Sequence, residues 1–468
     1  MLSAKENDLL TRVGPGTPMG DLYRRFWLPV LLSDELPEPD CTPVRFMVLG
    51  ERLVAFRDTA GRVGVLDERC PHRLASLFWG RNEEGGLRCV YHGWKWDIEG
   101  RCLDLPNTQE GESYKDKVAA FAAYPAVERG GLVWAFMGPK ESMPPLPNFE
   151  LNAVPESHRY ISKMFIGGNW LQGLEGDIDS SHVSFLHSRI DAVKGDLAAM
   201  NRASLAVFED KAPRWDIRDT DYGVMLAAQR SGPDGSIYWR VNQWHMPAFT
   251  MIAAKPGTYI HFQVRVPVDD ENQVYYRIIW HPERPLTDQE LMDARTSGIN
   301  FPAVLPGTFT PAERFDNDFL IDRQAQRTRS FTGIKSIPAQ DWAVQGDQGG
   351  VIANRSLEHL VSADQAIISM RQRLLKALQR MDEGKEPLEP AAVAQTRVRP
   401  VDIILPTGET VWESGAKYLN AQAWSPVPEE PIVARARAAY RPPATRKESR
   451  GCPNPTARLR CRWAGPPG

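Results

Sequence analysis

The spacing of hydrophobic residues changes along the chain and predicts a mixed α+β protein. Near the N-terminus apolar residues recur at helical spacing as far as Leu32, which predicts a helical lead over residues 1–36 that packs on the body. From Val44 to Met137 the pattern changes to short β-rich runs separated by glycine-containing turns. We therefore expect a small antiparallel β module over residues 37–145.

A proline-rich run at residues 139–147 ends this module, because it can form neither a helix nor a central strand. The region beyond it has the pattern of a helix at 168–189, alternating strands over 205–283 and a long helix ending near 382. We expect a larger domain over residues 146–433, in which an antiparallel sheet is flanked by helices. The predicted fold class is α+β.

Composition and charge favour a globular protein without a nucleic-acid partner. The 468 residues are 42% hydrophobic and 25% charged, which is typical of a globular chain, and the net charge is −3. Residues 434–468 contain nine basic residues and one acidic residue, so residues 1–433 carry a net charge of −11. We interpret 434–468 as a basic, disordered tail rather than a polyanion-binding arm, and we expect no nucleic-acid partner.

The sequence lacks several patterns that are typical of targeting signals and cofactor sites. The chain has no apolar run of signal-peptide length at its start and no stretch long enough to span a membrane, which predicts a cytoplasmic protein without a membrane partner. Its six cysteines are too few for a disulfide scaffold in a chain of this length. It contains no G-x-G-x-x-G or P-loop pattern, so we expect no nicotinamide, flavin or ATP site of those kinds.

Cysteine and histidine residues form a candidate metal site inside the β module. The pattern is Cys70-x-His72, a spacer of sixteen residues, and Cys89-x-x-His92. Two short loops that each supply one cysteine and one histidine can grip two sides of a metal centre. Ligand types alone leave two interpretations open, a structural Cys2His2 zinc site and an iron–sulfur site.

A second group of candidate ligands opens the larger domain. Asp179 and His182 are three residues apart and share one face of a regular helix, whereas His182 and His187 are five apart. On a regular helix the two histidines would diverge by about 140°, so both can face one metal only if the helix breaks or bulges. Taken alone, this pattern is more readily interpreted as two structural histidines on a helix than as a metal site.

Together the two patterns resemble a known family. The Cys-x-His and Cys-x-x-His pair with its flanking Tyr-His-Gly-Trp resembles the Rieske [2Fe–2S] motif. With the Asn169-Trp170 segment and the D-x-x-H-x-x-x-x-H pattern, residues 5–382 resemble the α subunit of Rieske non-haem iron aromatic ring-hydroxylating oxygenases. The opening of the chain and residues 331–341 look most like the phthalate dioxygenase branch.

The resemblance implies roles for the candidate residues. Cys70 and Cys89 would hold one iron of the cluster, and His72 and His92 the other. A mononuclear Fe(II) would be held by residues of the second pattern, His182 and His187. Asp179 would be the carboxylate that links a ligand histidine to the Rieske edge, expected at His92, of a neighbouring subunit.

A third protein ligand completes such an iron site. The 2-His-1-carboxylate triad leaves open positions for oxygen chemistry and needs one carboxylate in addition to two histidines. In the family this residue lies shortly before the last long helix, and Ile337–Gln345 occupies that place here. We choose Asp341, with Asp347 in reserve; the alternative is a solvated loop carboxylate.

The resemblance also implies a reaction and partners. We expect hydroxylation of a carboxylated aromatic substrate with O2, preferably ring dihydroxylation, with electrons from a separate NAD(P)H reductase passing through the cluster to the iron. The alternatives are a monooxygenase or O-demethylase of a methoxylated or diaryl-ether aromatic acid and, more distantly, a Rieske electron carrier without oxygenase activity. The branch assembles as homotrimers or hexamers.

The substrate pocket is expected in the middle of the larger domain. Its wall should come from residues 200–330, where Arg230, Arg240 and Lys255 are candidate partners for a substrate carboxylate. Each of the three is more readily interpreted as an exposed surface cation.

Overall fold

A computed structural model describes residues 2–109, 118, 121–190 and 201–421, so the predicted tail at 434–468 lies outside the described residues. The helices are α1 (Ala4–Thr11), α2 (Pro18–Tyr23), α3 (Glu150–Ala153), α4 (Trp170–Ile178), α5 (Arg202–Glu209), α6 (Asp288–Thr296), α7 (Arg323–Thr328), α8 (Ile337–Gln345), α9 (Gln365–Asp382), α10 (Glu389–Gln395) and α11 (Ala416–Leu419).

The strands fall into an N-terminal group and a larger C-terminal group. The first group is β1 (Trp27–Leu32), β2 (Val44–Val48), β3 (Glu51–Arg57), β4 (Val63–Asp67), β5 (Arg81–Glu83), β6 (Gly86–Arg88), β7 (Lys95–Trp96), β8 (Cys102–Asp104), β9 (Ala123–Tyr124), β10 (Ala126–Arg129) and β11 (Leu132–Phe136). The second group is β12 (Arg159–Gly167), β13 (Arg214–Asp219), β14 (Gly223–Ser231), β15 (Ile237–His245), β16 (Phe249–Ile252), β17 (Ile260–Pro267), β18 (Asn272–Trp280) and β19 (Val401–Leu405).

The N-terminal lead is only partly helical. Helices α1 and α2 form, but the last residues of the predicted helical pattern form strand β1, which pairs antiparallel with β11. Trp27 lies opposite Phe136, and Leu32 lies opposite Leu132. Because nearly all of β1 is buried, it is a continuous apolar run, and such a run cannot be distinguished from a helix by spacing alone.

The predicted antiparallel β module is confirmed. It contains two four-stranded sheets, β2-β3-β4-β9 and β5-β6-β7-β8, and a three-stranded sheet, β1-β11-β10. A small core between the two four-stranded sheets includes Val54, Leu66 and Trp96. Cys70 and Cys89 are buried in this same core, so the first candidate metal site is built on a rigid part of the module.

The larger domain is built on an eight-stranded antiparallel sheet, as predicted. Its order is β12-β18-β17-β16-β15-β14-β13, and β19 pairs with the part of β15 that β16 leaves open. The predicted long helix is α9, Gln365–Asp382. The predicted helix over 168–189 is wrong in its second half, because α4 ends at Ile178 and Asp179 has an extended backbone with φ −69° and ψ 129°.

One hydrophobic core joins the two regions. It includes Leu10 and Leu22 from α1 and α2, Trp134 from β11, Trp170 from α4 and Leu374 from α9. The N-terminal helices and the β module are therefore packed directly on the larger domain. No helix among the described residues is long and apolar enough to cross a membrane.

Candidate iron centres

Helix α4 and the turn after it carry the second group of candidate ligands. Asn169 caps α4, and its side-chain amide donates hydrogen bonds to the carbonyls of Thr11 and Asp270. After Asp179 the chain turns, and His182 begins a short 3-10 turn, His182–Ser184. The expectation that Asp179 and His182 share a helix face is therefore wrong, but the break that both histidines need is present.

The structure brings His182, His187 and Asp341 together. Their candidate ligand atoms all lie within 4.8 Å of one another. His187 Nε2 is 3.2 Å from His182 Nε2 and 3.2 Å from Asp341 Oδ1, and His182 Nε2 is 3.6 Å from the same oxygen. Two imidazole nitrogens and a carboxylate oxygen that converge on one point form the donor set of a 2-His-1-carboxylate site, so these residues fit a metal ion.

The opposite nitrogens of the two histidines are occupied by acceptors. His182 Nδ1 is 3.2 Å from Asp179 Oδ2, and His187 Nδ1 is 2.8 Å from the side-chain oxygen of Gln340. The Gln340 amide in turn donates to the carbonyl of Ile334 at 2.8 Å, which fixes its orientation. With each Nδ1 acting as a donor, each Nε2 is left with a lone pair directed at the cluster.

Electrostatics favour an ionised carboxylate in this cluster. Burial by itself would raise the pKa of Asp341, but the hydrogen bond and charge of His187 outweigh it, so this pKa lies below its usual value. Burial would likewise lower the pKa of His182, but the hydrogen bond to Asp179 and the charge of Asp341 raise it. Asp179 and Asp341 therefore favour the protonated form of His182, and the neighbouring histidines favour the ionised form of Asp341.

Helix α8 carries Asp341 into the site. The side chain of Asp341 is only 16% exposed, so the alternative of a solvated loop carboxylate does not apply. The reserve residue, Asp347, is exposed and lies outside the three-residue cluster. Gln172 of α4 donates to the carbonyl of Gln345 at 2.5 Å, so α4 and α8 are joined directly.

A fully buried arginine holds the turn between α4 and the histidines. Arg230 donates to both the hydroxyl and the carbonyl oxygen of Ser180, and its Nε donates to the carbonyl of Asp210 at 3.0 Å. The interpretation of Arg230 as a surface cation is therefore wrong, because its donors are used inside the protein. Its role here is to fix the backbone between Asp179 and His182.

Buried ion pairs anchor α4 itself. Asp177 accepts two hydrogen bonds from Arg265, at 2.7 and 2.9 Å, and both side chains are almost fully buried. Glu175 is paired with Arg355 and with Arg371. Buried charges are costly unless they are paired, so these contacts specify one position of α4 relative to its neighbours.

The first group of candidate ligands is arranged as a cysteine pair and a histidine pair. Cys70 and Cys89 are buried, and the rings of His72 and His92 lie 4.4 Å apart. His92 Nδ1 is buried and has no hydrogen-bond partner among the described residues, which leaves it free to bind iron. Burial raises the pKa of the Cys70 thiol to about 11, so metal binding is what would keep it a thiolate. The four residues fit a two-iron cluster.

Aromatic and apolar side chains surround the histidine pair. The indole of Trp94 stacks on His72, with 4.3 Å between the ring centroids and 6° between the planes. The same two loops carry the exposed apolar side chains Leu74, Val90 and Tyr91, and the ring of Tyr91 lies 3.9 Å from that of His92. We call these three exposed side chains the apolar rim.

A cavity of about 490 Å³ opens beside the second cluster. It is lined by His187 and by apolar side chains, including Val183 and Phe208. It is also lined by four charged residues, Arg189, Arg240, Lys255 and Asp402. We call the last three the charged wall. A molecule of the size of a substituted benzene ring can therefore contact the His187 side and the charged wall at once.

The charged wall differs from the expected pocket lining in the burial of Arg240 and in the presence of Asp402. Arg240 is half-buried rather than a surface cation, whereas Lys255 is exposed as expected. Asp402 lies on β19, well beyond the predicted wall of residues 200–330, and it is the cross-strand neighbour of Arg240. No local sequence pattern marks Asp402, because it reaches the cavity only through the pairing of β19 with β15.

Comparison with known proteins identifies the family. A model described as the Rieske [2Fe-2S] domain matches residues 26–122, and one described as LigXa C-terminal domain like matches residues 135–430. The chain is 40% identical to the phthalate 4,5-dioxygenase oxygenase subunit of Pseudomonas putida, over 83% of this chain and 89% of that one. It is 39% identical to the 3-chlorobenzoate-3,4-dioxygenase oxygenase subunit of Comamonas testosteroni, over 83% and 91%.

The fold agrees with these matches. The crystal structure of dicamba monooxygenase bound to dicamba superposes with a TM-score of 0.53 at 18% identity, over 77% of this chain and 99% of that chain. The cofactors are accordingly a [2Fe–2S] cluster and a mononuclear iron, and the chain is an oxidoreductase that acts with O2. It belongs to the Rieske non-haem iron oxygenases, as an oxygenase subunit of the phthalate dioxygenase-like branch.

Proposed function

We propose that this subunit hydroxylates an aromatic carboxylic acid, using electrons that a separate NAD(P)H-dependent reductase delivers through the Rieske cluster. The observation that carries the proposal is that one cavity is lined by both His187 and Arg240. The relatives named above act on 3-chlorobenzoate and phthalate, which are aromatic carboxylates. A guanidinium group binds a carboxylate through charge-assisted hydrogen bonds, so Arg240 is suited to hold the acid group.

The proposed ligand assignment follows the two clusters. Cys70, His72, Cys89 and His92 would hold the [2Fe–2S] cluster; His182, His187 and Asp341 would hold the mononuclear iron. When bound, such an iron supplies open coordination positions at which O2 meets the substrate. Gln340 keeps the proton of His187 on Nδ1, and Asp179 does the same for His182, so both rings present Nε2 to the metal.

The protein would also orient the substrate and keep water away from it. Arg240 and Lys255 would bind the carboxylate, while Val183, Val207 and Phe208 would cover the ring. Fixing the ring at one end places a defined edge beside His187, and this positioning contributes to catalysis by reducing the entropy lost on reaction. The preferred outcome is dihydroxylation of that edge.

The electron route is proposed to cross between subunits of a homotrimer or hexamer. His72 and His92 are half-exposed and bordered by the apolar rim, which suits a protein interface better than open solvent. Asp179 is partly accessible, with 18% of its side chain exposed, and its Oδ2 contacts His182. It can therefore link the histidine edge of a neighbouring subunit to His182.

The test is turnover with a generic reductase, NADH and a panel of aromatic carboxylates under ¹⁸O2. Coupled product formation with two labelled oxygens supports ring dihydroxylation, whereas one labelled oxygen indicates monooxygenation or O-demethylation. Rapid reduction of the cluster without any oxygenated product across the panel would leave only the electron-carrier alternative.

The Arg240→Gln variant tests carboxylate binding. We expect KM for the accepted acid to rise roughly 10-fold to 100-fold, because a hydrogen bond to a charged group contributes about 1.5–3 kcal/mol. Arg214→Gln is the matched control, since Arg214 is exposed on β13 and does not line the cavity. An equal KM for both variants would contradict the role of Arg240.

A further inference from the structure

The charged wall contains an acidic residue that the binding of a simple carboxylate does not need. Asp402 lies opposite Arg240 in the pairing of β19 with β15, and its backbone N–H donates to the carbonyl of Ala254 at 2.9 Å. The next residue, Lys255, is therefore held close to the same carboxylate. The two cations of the charged wall and one anion thus line the cavity together, and Arg189 adds a third cation.

The Asp402 carboxylate has unused capacity to accept a hydrogen bond. Its Oδ1 is buried and has no hydrogen-bond partner among the described residues. The same is true of the Nε of Arg240. Burial raises the pKa of Asp402 above its usual value, and the charges of Arg240 and Lys255 and a hydrogen bond with Tyr238 offset only part of that rise. A buried carboxylate oxygen without a donor is costly, so a ligand that supplies a donor is stabilised there.

On this basis, and resting on the proposed function, we propose that Asp402 sets the substrate class. The preferred substrate is an aromatic acid with one carboxylate, bound by Arg240 and Lys255, and with one hydrogen-bond donor, such as a phenolic hydroxyl or an amino group, directed at Asp402 Oδ1. An aromatic dicarboxylate is disfavoured, because its second carboxylate would meet the Asp402 carboxylate in a partly desolvated cavity, where like charges repel strongly.

The experiment measures binding rather than turnover. Purified holoenzyme without reductase is titrated anaerobically, by calorimetry, with benzoate, 3-hydroxybenzoate and isophthalate, and then with 4-hydroxybenzoate and terephthalate. In at least one of the two positional series, the hydroxylated acid should bind roughly 10-fold more tightly than the dicarboxylate, and also more tightly than benzoate. Dicarboxylates that bind as tightly as the hydroxy acids in both series would overturn the proposal, and this comparison needs no variant.

The Asp402→Asn variant tests whether Asp402 selects between substrates or only positions the side chain of Arg240. The variant should bind dicarboxylates more tightly and should lose most of the advantage of the hydroxy acid over benzoate. If Asp402 only orders Arg240, all the acids would change affinity by one common factor, and the proposal would fail. Asp219→Asn is the matched control, because Asp219 lies exposed on β13, outside the cavity.

The failure of this proposal and of the proposed function can be told apart. If the acids bind but the enzyme does not discriminate between hydroxyl and carboxylate substituents, only the role of Asp402 is wrong. If none of the acids binds to the wild-type holoenzyme, both the role of Asp402 and the aromatic-acid substrate are wrong.

Discussion

Some side chains of the second cluster supply candidate metal-binding atoms, and others orient the histidine rings. His182, His187 and Asp341 supply the converging atoms, while Asp179 and Gln340 determine which nitrogen of each histidine is free. The spacing of Asp179, His182 and His187 is a local pattern and could be found in the sequence. Gln340 could not, because its contact with His187 depends on how α8 packs against the turn after α4.

The single substitution Asp341→Ala should remove the mononuclear iron and leave the Rieske absorption spectrum intact. The two histidines that remain provide too few protein ligands to retain the metal. Iron analysis should find one iron fewer per chain and no oxygenated product. The control is Asp347→Ala, which alters the nearby exposed carboxylate and should keep its full iron. Full iron in Asp341→Ala would contradict the assignment.

The start of α4 and the end of α8 approach each other closely, and this contact helps to bring the residues of the second cluster together. Gly168 precedes α4 with φ +104°, and a Cβ built on it would lie 3.1 Å from the Cα of Gly346, which follows α8. The start of the helix that leads to the histidines is thus in contact with the end of the helix that carries Asp341. Two glycines allow this distance, which larger residues would increase.

Replacing Gly168 by alanine should therefore destabilise the protein at the junction of α4 and α8. Strain from the positive φ and overpacking against backbone together cost about 2–4 kcal/mol. Gly61→Ala is the control, because Gly61 also has a positive φ, +78°, but a Cβ there meets nothing within 4 Å. Thermal unfolding should show a larger decrease in Tm for Gly168→Ala; equal decreases would mean that the close approach is unimportant.

Prediction from sequence succeeded for elements with a clear local pattern and failed where burial changed that pattern. The alternating strands of the β module and the one-sided apolar face of α9 were predicted correctly. Strand β1 was predicted as helix because both of its faces are buried. The end of α4 at Ile178 was missed because the hydrogen bonds that hold the turn come from Arg230, far away in the sequence.

For the whole molecule, the proposed electron route makes activity depend on assembly. Mixed oligomers of Cys70→Ser chains and Asp341→Ala chains should recover part of the activity that each variant lacks alone. Each mixed interface would join an intact cluster on one chain to an intact iron site on the other. The measurement is NADH-coupled product formation after co-expression. No recovery in mixed oligomers of verified composition would indicate that electrons stay within one chain.

The position of β19 has a consequence for how new specificities can arise. The residues proposed to hold the iron all lie before α9, whereas Asp402 belongs to a strand that joins the sheet after α9 and α10. A short C-terminal segment can therefore be exchanged between relatives, or diversified in the laboratory, without altering a metal ligand. The proposed selection by Asp402 is thus encoded apart from the metal ligands, so this one determinant of substrate choice can change while the ligands are kept.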